Sequence, residues 1–198
     1  MTERGTRERT LDVALDLFGT RGFDAVSLDE IARQVGVRKQ TVLYWFPSKD
    51  ELLDAVLDEV AGELVVVIDA AVRSAPADHP LERVDAIVRA VFRPAVRRPA
   101  MLGLIRELNR LPEAHVDRLR VRLQPLIDRC IGYFAQQMDK GELRRSEPGL
   151  VLAMAYATVT GVATEPEVLR AAGWQPTTTG LRQMRDELRS FLQAALRP

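Results

Sequence analysis

The sequence contains a single cysteine, Cys130, in 198 residues. An intramolecular disulfide is therefore excluded, and a reducing compartment is the simple expectation. The most apolar run, LVVVI at 64–68, is far too short to cross a bilayer. The charged start MTERGTRERT is not followed by an apolar signal core. We therefore predict a cytoplasmic protein with no membrane partner.

Patterns typical of enzymes and of metal or cofactor sites are also missing. Only two histidines are present, and neither His79 nor His115 has a second metal ligand at a useful spacing. Cys130 lies in an apolar helical segment, where a thiol is expected to pack. The sequence has no phosphate-binding glycine loop and no serine nucleophile elbow. We expect no catalysis, no bound metal and no cofactor.

Net charge is absent as well, because 28 basic residues balance 28 acidic ones. The distribution is uneven, however. Residues 31–49 contain four cations and no acid, whereas residues 50–70 contain seven acids and no lysine or arginine. A cationic stretch suits contact with DNA phosphates, since their neutralisation releases counterions. The alternative is an ordinary solvated helix face.

Helical periodicity dominates the chain, and alternating strand patterns are not found. Pro94, Pro99 and Pro112 are expected to mark helix starts and stops, and Gly19 or Gly22 is expected to end the first helix. The class is all-α with about nine or ten helices. The predicted helices cover about 8–18, 27–35, 38–45, 48–73, 81–93, 98–110, 113–139, 148–163 and 178–196.

The segment GVRKQTVLYWFPSK at 36–49 predicts the second half of a helix-turn-helix. Ser27 and Glu30 form a capping box that begins the preceding helix, and Gly36 ends it. The next helix, at about 38–45, can enter the major groove of DNA as the second helix of such a unit. At 100° per residue its packing side is Val37, Val42 and Phe46, and its opposite side is Gln40, Leu43 and Tyr44.

The outward residues offer two kinds of DNA contact. The Gln40 amide can pair bidentately with adenine, and Leu43 can contact a thymine methyl group. Ser27 and the free N–H groups at its helix start can hold a phosphate. Trp45 and Phe46 are interpreted as core residues, whereas for Tyr44 both packing and hydrogen bonding stay open. The predicted phosphate donors are Arg38, Lys39, Thr41, Tyr44 and Lys49.

Residues 10–57, TLDVALDLFGTRGFDAVSLDEIARQVGVRKQTVLYWFPSKDELLDAVL, resemble the N-terminal domain of TetR-type (TetR/AcrR) transcriptional regulators. The resemblance lies in the length, the glycine positions and the terminal FPSKDELL. It implies a helix-turn-helix DNA-binding domain at 1–48 and a helical effector-binding and dimerisation domain at 49–198. It also implies a homodimeric regulator, most often a repressor, that binds a pseudo-palindromic operator in double-stranded DNA and is released by a small-molecule inducer.

By position, the resemblance makes 38–45 the recognition helix, with Lys49 at a phosphate contact. Three residues depart from the family, which often has a small residue at Gln40, a tyrosine at Leu43 and a histidine at Trp45. Two alternatives therefore stay open. One is an activator of the same fold, and the other is a helical dimerisation or interaction protein that no longer binds specific DNA.

The resemblance further implies that 148–163 and 178–196 form a homodimer interface, the alternative being an ordinary intrachain core. An inducer pocket is expected among the helices of 50–140. The nine arginines against four acids at 93–129 suggest an anionic or amphipathic ligand, although a solvated face is the alternative. The candidate pocket residues are Met101, Leu104, Ile105, Arg106, Asn109, Tyr133, Phe134 and Met138.

Overall fold

The chain is all-α in the computed structural model, which describes residues 3–76, 78–164, 166–175 and 177–198. This confirms the predicted fold class. None of the helices in these ranges is both long and apolar enough to span a lipid bilayer. The described ranges hold ten helices: α1 Glu3–Arg21, α2 Leu28–Val35, α3 Lys39–Trp45, α4 Lys49–Ser74, α5 Pro80–Arg97, α6 Ala100–Leu108, α7 Glu113–Asp139, α8 Pro148–Thr164, α9 Pro166–Ala171 and α10 Thr178–Leu196.

Glycines in the left-handed region end the first two helices. Of the two glycines expected to end α1, Gly22 has a φ of 88°, whereas Gly19 lies inside the helix. Gly36 ends α2 with a φ of 79°, and its N–H donates to the carbonyl of Ala32 at 3.0 Å. A residue with a Cβ is strained at such angles, so glycine fixes both ends.

Two predictions about helix boundaries were wrong. Pro94 does not end its helix, because α5 continues through it to Arg97. The helix tolerates the proline, whose ring is buried, and it ends one turn later where Arg98 N–H donates to the Pro94 carbonyl at 2.8 Å. No helix was predicted between 163 and 178, but this stretch contains α9, Pro166–Ala171. Six residues are too few to show a helical period in sequence.

The first of two compact units comprises Met1–Gly62 and Pro99–Arg122. Its apolar core is built from α1, α2, α3, the start of α4 and α6. The backbones of α1 and α6 come so close that a Cβ added to Gly103 would lie 1.7 Å from the Gly19 carbonyl oxygen. The fully buried side chains at the centre of this core include Phe18, Ile31, Val35, Val42, Leu52 and Leu53.

The second compact unit comprises Glu63–Arg98 and Leu123–Pro198. Its core joins α5, α7, α8 and α10, and Asp85 on α5 forms an ion pair with Arg189 on α10. The predicted functional division at residue 48 stays a prediction. The buried core residues of this unit are Val84, Val88, Phe92, Met138, Leu143, Val151, Leu188, Leu192 and Leu196.

Candidate nucleic-acid interface

The helix-turn-helix is formed by α2, the turn at 36–38 and α3. The Ser27 hydroxyl oxygen accepts a hydrogen bond from the Glu30 N–H at 3.2 Å, which caps α2 as the sequence predicts. Arg38 precedes α3 with extended backbone, and its side chain makes no capping hydrogen bond among the described residues.

One side of α3 is anchored in the apolar core. Val42 is fully buried, and Phe46, which follows the helix, is 3% exposed. Phe46 also has the guanidinium carbon of Arg7 5.4 Å from its ring centroid. Val37 is half-buried against the same core. These placements confirm the predicted packing side of the helix.

The opposite side of α3 faces solvent. Tyr44 is 73% exposed, and Gln40 is exposed one turn before it. Thr41 and Leu43 are half-buried. Trp45 is half-buried against the core, and its ring meets that of Tyr44 edge-on at a centroid distance of 5.1 Å. The Tyr44 ring thus packs against Trp45, and its side chain stays largely exposed to solvent.

The two cations at the start of α3 are both exposed. The Lys39 ammonium lies 2.7 Å from the Asp29 carboxylate on α2. Both side chains are solvent-accessible, so this pair contributes little to stability and can exchange for a phosphate. Arg38 and Lys39 therefore remain accessible donors beside the exposed face.

Lys49 has an internal role that the sequence pattern did not reveal. Its Nζ donates to the carbonyl oxygens of Phe23 and Val26, at 3.0 and 3.1 Å. It also lies 4.1 Å from the Phe23 ring centroid. An ammonium group has three donors, and two of them serve these carbonyls. Lys49 thus fixes the loop before α2, while its contact with phosphate stays a prediction.

The same loop is held from α6 by Glu107, another residue that sequence reasoning missed. The carboxylate oxygen of Glu107 accepts a hydrogen bond from the Phe23 N–H at 3.2 Å, and the Glu107 side chain is buried. A Cβ at Gly22 would lie 3.0 Å from this carboxylate. The partners are 84 residues apart in sequence, so no local pattern could have indicated the contact.

The eight candidate pocket residues are divided between the two compact units. Met101 and Leu104 pack in the core of the first unit, and Met138 packs in that of the second. Tyr133 and Phe134 line one cavity, and their ring centroids are 6.2 Å apart. Ile105 is half-buried, and Arg106 and Asn109 are exposed. Only Tyr133 and Phe134 therefore share a described cavity, and ligand contact by the other six stays a prediction.

The segments predicted to form a dimer interface are apolar and partly uncovered. Leu150, Met154 and Tyr156 on α8 are each about 60% exposed, and Phe191 on α10 is 64% exposed. Leu150 and Met154 are one helical turn apart and share a face. The side chains of Val162 and Ala163, at the end of the predicted interface segment 148–163, lie outside the described residues.

Comparison with known proteins agrees with this geometry. The sequence model of the family described as "Bacterial regulatory proteins, tetR family" matches residues 11–56. The HTH-type transcriptional regulator BetI of Rhizobium meliloti is 38% identical over 87 residues, which cover 44% of this chain and 42% of BetI. The HTH-type transcriptional regulator RutR of Escherichia coli K12 is 27% identical over 169 residues, which cover 84% of this chain and 78% of RutR.

The likeness in fold extends along nearly the whole chain. The crystal structure of AibR in complex with isovaleryl coenzyme A and operator DNA superposes with a TM-score of 0.77 at 18% identity. The match covers 96% of this chain and 99% of AibR. The helix-turn-helix at 28–45, the family match that encloses it and the two regulators named above lead to one conclusion: residues 11–56 are a helix-turn-helix domain of the TetR family, in a chain that resembles transcriptional regulators of this family.

Proposed function

We propose that the chain is a homodimeric repressor that binds a pseudo-palindromic operator and is released from it by a small-molecule inducer. The observation that carries the DNA-binding part is the orientation of α3. Gln40 and Tyr44 face solvent, while Val42 and Phe46 anchor the helix in the core. A helix held on one side and polar on the other can enter the major groove as a rigid element.

The exposed residues divide into base-reading and positioning roles. Gln40 reads an adenine through its amide, and Leu43 contacts a thymine methyl group. The positioning residues fix the register on the duplex without reading its sequence. These phosphate contacts are assigned to Ser27, Arg38, Lys39, Thr41, Tyr44 and Lys49.

The homodimer is proposed to form through α8 and α10. The uncovered apolar side chains of Leu150, Met154 and Phe191 support this assignment, because adjacent exposed apolar residues mark interaction surfaces. A two-fold axis through these helices brings the same patch of both protomers together. The two recognition helices then fall about 34–36 Å apart, or a multiple of it, and select a site with inverted half-sites.

Release by an inducer is proposed as a population shift. The ligand binds more tightly to a conformation in which the recognition helices are wrongly spaced, and it shifts the equilibrium only by that difference in affinity. The AibR structure holds both a coenzyme A thioester and operator DNA on a similar fold. This likeness supports the proposal that the present fold accommodates both DNA and a small ligand.

A mobility-shift titration tests the DNA-binding part. The full chain is mixed with duplex DNA from upstream of its own gene, and with shuffled DNA, across a series of salt concentrations. Specific retention with a steep salt dependence is expected. Equal binding to both DNAs at every salt concentration contradicts the proposal and favours an interaction protein that has lost specific DNA binding.

Gln40→Ala separates base reading from positioning. Removing the amide is expected to change the preferred base at one position of each half-site, at a cost of about 1–3 kcal/mol against the original operator. Gln34→Ala on α2, which also removes an exposed glutamine, serves as the matched control. Equal loss on every operator variant contradicts the base-reading role of Gln40. Transcription from the operator with and without the protein then distinguishes a repressor from an activator.

A further inference from the structure

The second compact unit contains an open-sided cavity of about 210 Å³ between α4, α5 and α7. Five apolar side chains form most of its wall: Ile68, Val72, Ile87, Leu126 and Phe134. The remaining lining residues are Asp69, Arg83, Arg129, Cys130 and Tyr133. An apolar enclosure with a few convergent polar groups is the usual form of a small-molecule site.

Two polar atoms of the lining residues are buried without a partner of hydrogen-bond geometry. They are Nε of Arg83 and the hydroxyl oxygen of Tyr133, within the described part of the chain. The guanidinium carbon of Arg83 lies 5.5 Å from the Tyr133 ring centroid, so the two groups are neighbours. A buried donor with no acceptor costs about 1–3 kcal/mol. A ligand that supplies an acceptor recovers this cost on binding.

The charges around the cavity do not balance. The Arg129 guanidinium lies 3.1 Å from the Asp69 carboxylate, and this pair compensates itself. Arg83 has no carboxylate at ion-pair distance among the described residues. The lining therefore has two cations and one anion. The positive charge of Arg83 has no carboxylate in the lining to balance it.

We propose that this cavity binds a small monocarboxylate with an apolar body. The carboxylate accepts hydrogen bonds from the guanidinium of Arg83 and from the hydroxyl group of Tyr133, which turn out of their buried positions to reach it, and its charge balances that of Arg83. The apolar body lies against Ile68, Val72 and Phe134. The inference rests on the proposed function in one respect, namely that the ligand of this cavity is the inducer.

The state of the tyrosine and the size of the cavity are consistent with this ligand. Burial raises the pKa of the Tyr133 hydroxyl, and the neighbouring Arg83 guanidinium opposes the rise through its charge and its N–H donors, so the phenol is protonated at neutral pH and can donate. The volume lies below the roughly 300–1,000 Å³ of sites for drug-sized molecules. The part of the ligand that lies inside the cavity is therefore small.

Calorimetric titration of the full chain with matched ligands tests the proposal. Hexanoate, phenylacetate and benzoate carry the proposed carboxylate, while hexanamide and hexylammonium keep the hexanoate body with no charge or a positive one. We expect saturable binding of at least one carboxylate and weaker binding of its neutral amide, by about tenfold or more. Binding of none of the three acids, or hexylammonium binding as tightly as hexanoate, overturns the ligand class.

Two substitutions test the contacts themselves. Arg83→Gln removes the charge, and Tyr133→Phe removes only the hydroxyl group while it keeps the ring. Each is expected to weaken carboxylate binding by about tenfold or more. Arg73→Gln, which removes one exposed cation outside the cavity, is expected to leave the affinity unchanged. Because Tyr133→Phe preserves the packing, unchanged affinity in that variant overturns the contact even if Arg83→Gln does not fold.

Fluorescence anisotropy with labelled operator DNA separates the two proposals. Carboxylate binding that depends on Arg83 and lowers operator affinity supports both. Binding that depends on Arg83 but leaves operator affinity unchanged keeps the ligand class and overturns the inducer role. Specific operator binding by a chain that binds no carboxylate overturns the ligand class and leaves the DNA-binding function standing.

Discussion

The Nδ1 atom of His115 lies 2.7 Å from a carboxylate oxygen of Asp54, which ties the start of α7 to the start of α4. The other ring nitrogen, Nε2, lies 3.2 Å from the Asp50 carboxylate. Arg118, one turn further along α7, donates to the second oxygen of Asp54 at 3.2 Å. His115 itself is buried, with its ring 6.3 Å from that of Phe23. The start of α4, the helix after α3, is thus held by polar contacts with α7 within the first compact unit.

His115→Phe tests the contribution of these contacts. Phenylalanine keeps an aromatic ring of similar size but offers neither carboxylate a partner. The free energy of unfolding of the first unit is expected to fall by about 1–3 kcal/mol. Denaturation followed by Trp45 fluorescence in a Trp174→Phe background measures this unit selectively. His79→Phe replaces an exposed histidine and is expected to change stability by less than about 0.5 kcal/mol, so equal effects of the two substitutions contradict the structural role of His115.

Gly103→Ala tests the close approach of α1 and α6. The added methyl carbon would lie 1.7 Å from the Gly19 carbonyl oxygen, so the helices must separate. A loss of stability of about 1–3 kcal/mol or more is expected from this overpacking. Gly132→Ala on α7 is the matched control, because its methyl group meets no atom within 4 Å.

The control substitution is expected to act in the opposite direction. Alanine in an exposed helix interior is favoured over glycine by about 0.5–1 kcal/mol, so Gly132→Ala should raise the thermal midpoint. The measurement is thermal unfolding of the two variants side by side. Thermal midpoints that rise in both variants would show that α1 and α6 accommodate a methyl group at Gly103, which contradicts the predicted clash with the Gly19 carbonyl oxygen.

Local features of the chain were predictable, and contacts between distant residues were not. The capping by Ser27, the break at Gly36 and the buried side of α3 depend on residues within one or two helical turns, and those patterns are visible in sequence. Gly19 was interpreted only as a possible helix end, whereas its role is to let the α6 backbone approach. That role requires a partner 84 residues away.

The candidate ligand site shows the same limit. Tyr133 and Phe134 were found because they are aromatic residues in an apolar helix, and both line the cavity. Arg83 and Asp69 were not found, because α5 and α4 bring them to the cavity from other parts of the chain. Met101 and Leu104 have the same apolar character but are used in the core of the first unit. Composition and periodicity do not distinguish a cavity wall from a core.

Cys130 is expected to react slowly with alkylating reagents. Burial raises the pKa of its thiol, and the nearby Arg129 charge opposes this only in part. Because the thiolate is the nucleophile, a raised pKa moves the rise in reaction rate to higher pH. The rate of iodoacetamide modification as a function of pH measures this, with the same chain in denaturant as the control. Superimposable profiles for the folded and unfolded chain contradict the prediction.

Met154→Glu is expected to convert the proposed dimer to a monomer. The substitution places a carboxylate on the exposed apolar face of α8, and a two-fold axis brings two copies into the same interface. Unpaired charges at an apolar interface cost several kcal/mol, so dissociation should increase by about a hundredfold or more. Light scattering after size exclusion measures the mass. Val66→Glu, at an equally exposed apolar residue of α4, is expected to leave the mass unchanged.

Lys49→Ala is expected to affect both stability and DNA binding. It removes two hydrogen bonds to the carbonyls of Phe23 and Val26, so the free energy of unfolding should fall by about 1–3 kcal/mol. It should also weaken binding to all DNA sequences and reduce the slope of log affinity against log salt by about one. Arg38→Ala, at an exposed cation, should reduce the slope similarly without loss of stability. A Lys49→Ala variant that is less stable but keeps the full salt slope would leave Lys49 only its internal role and assign the phosphate contact elsewhere.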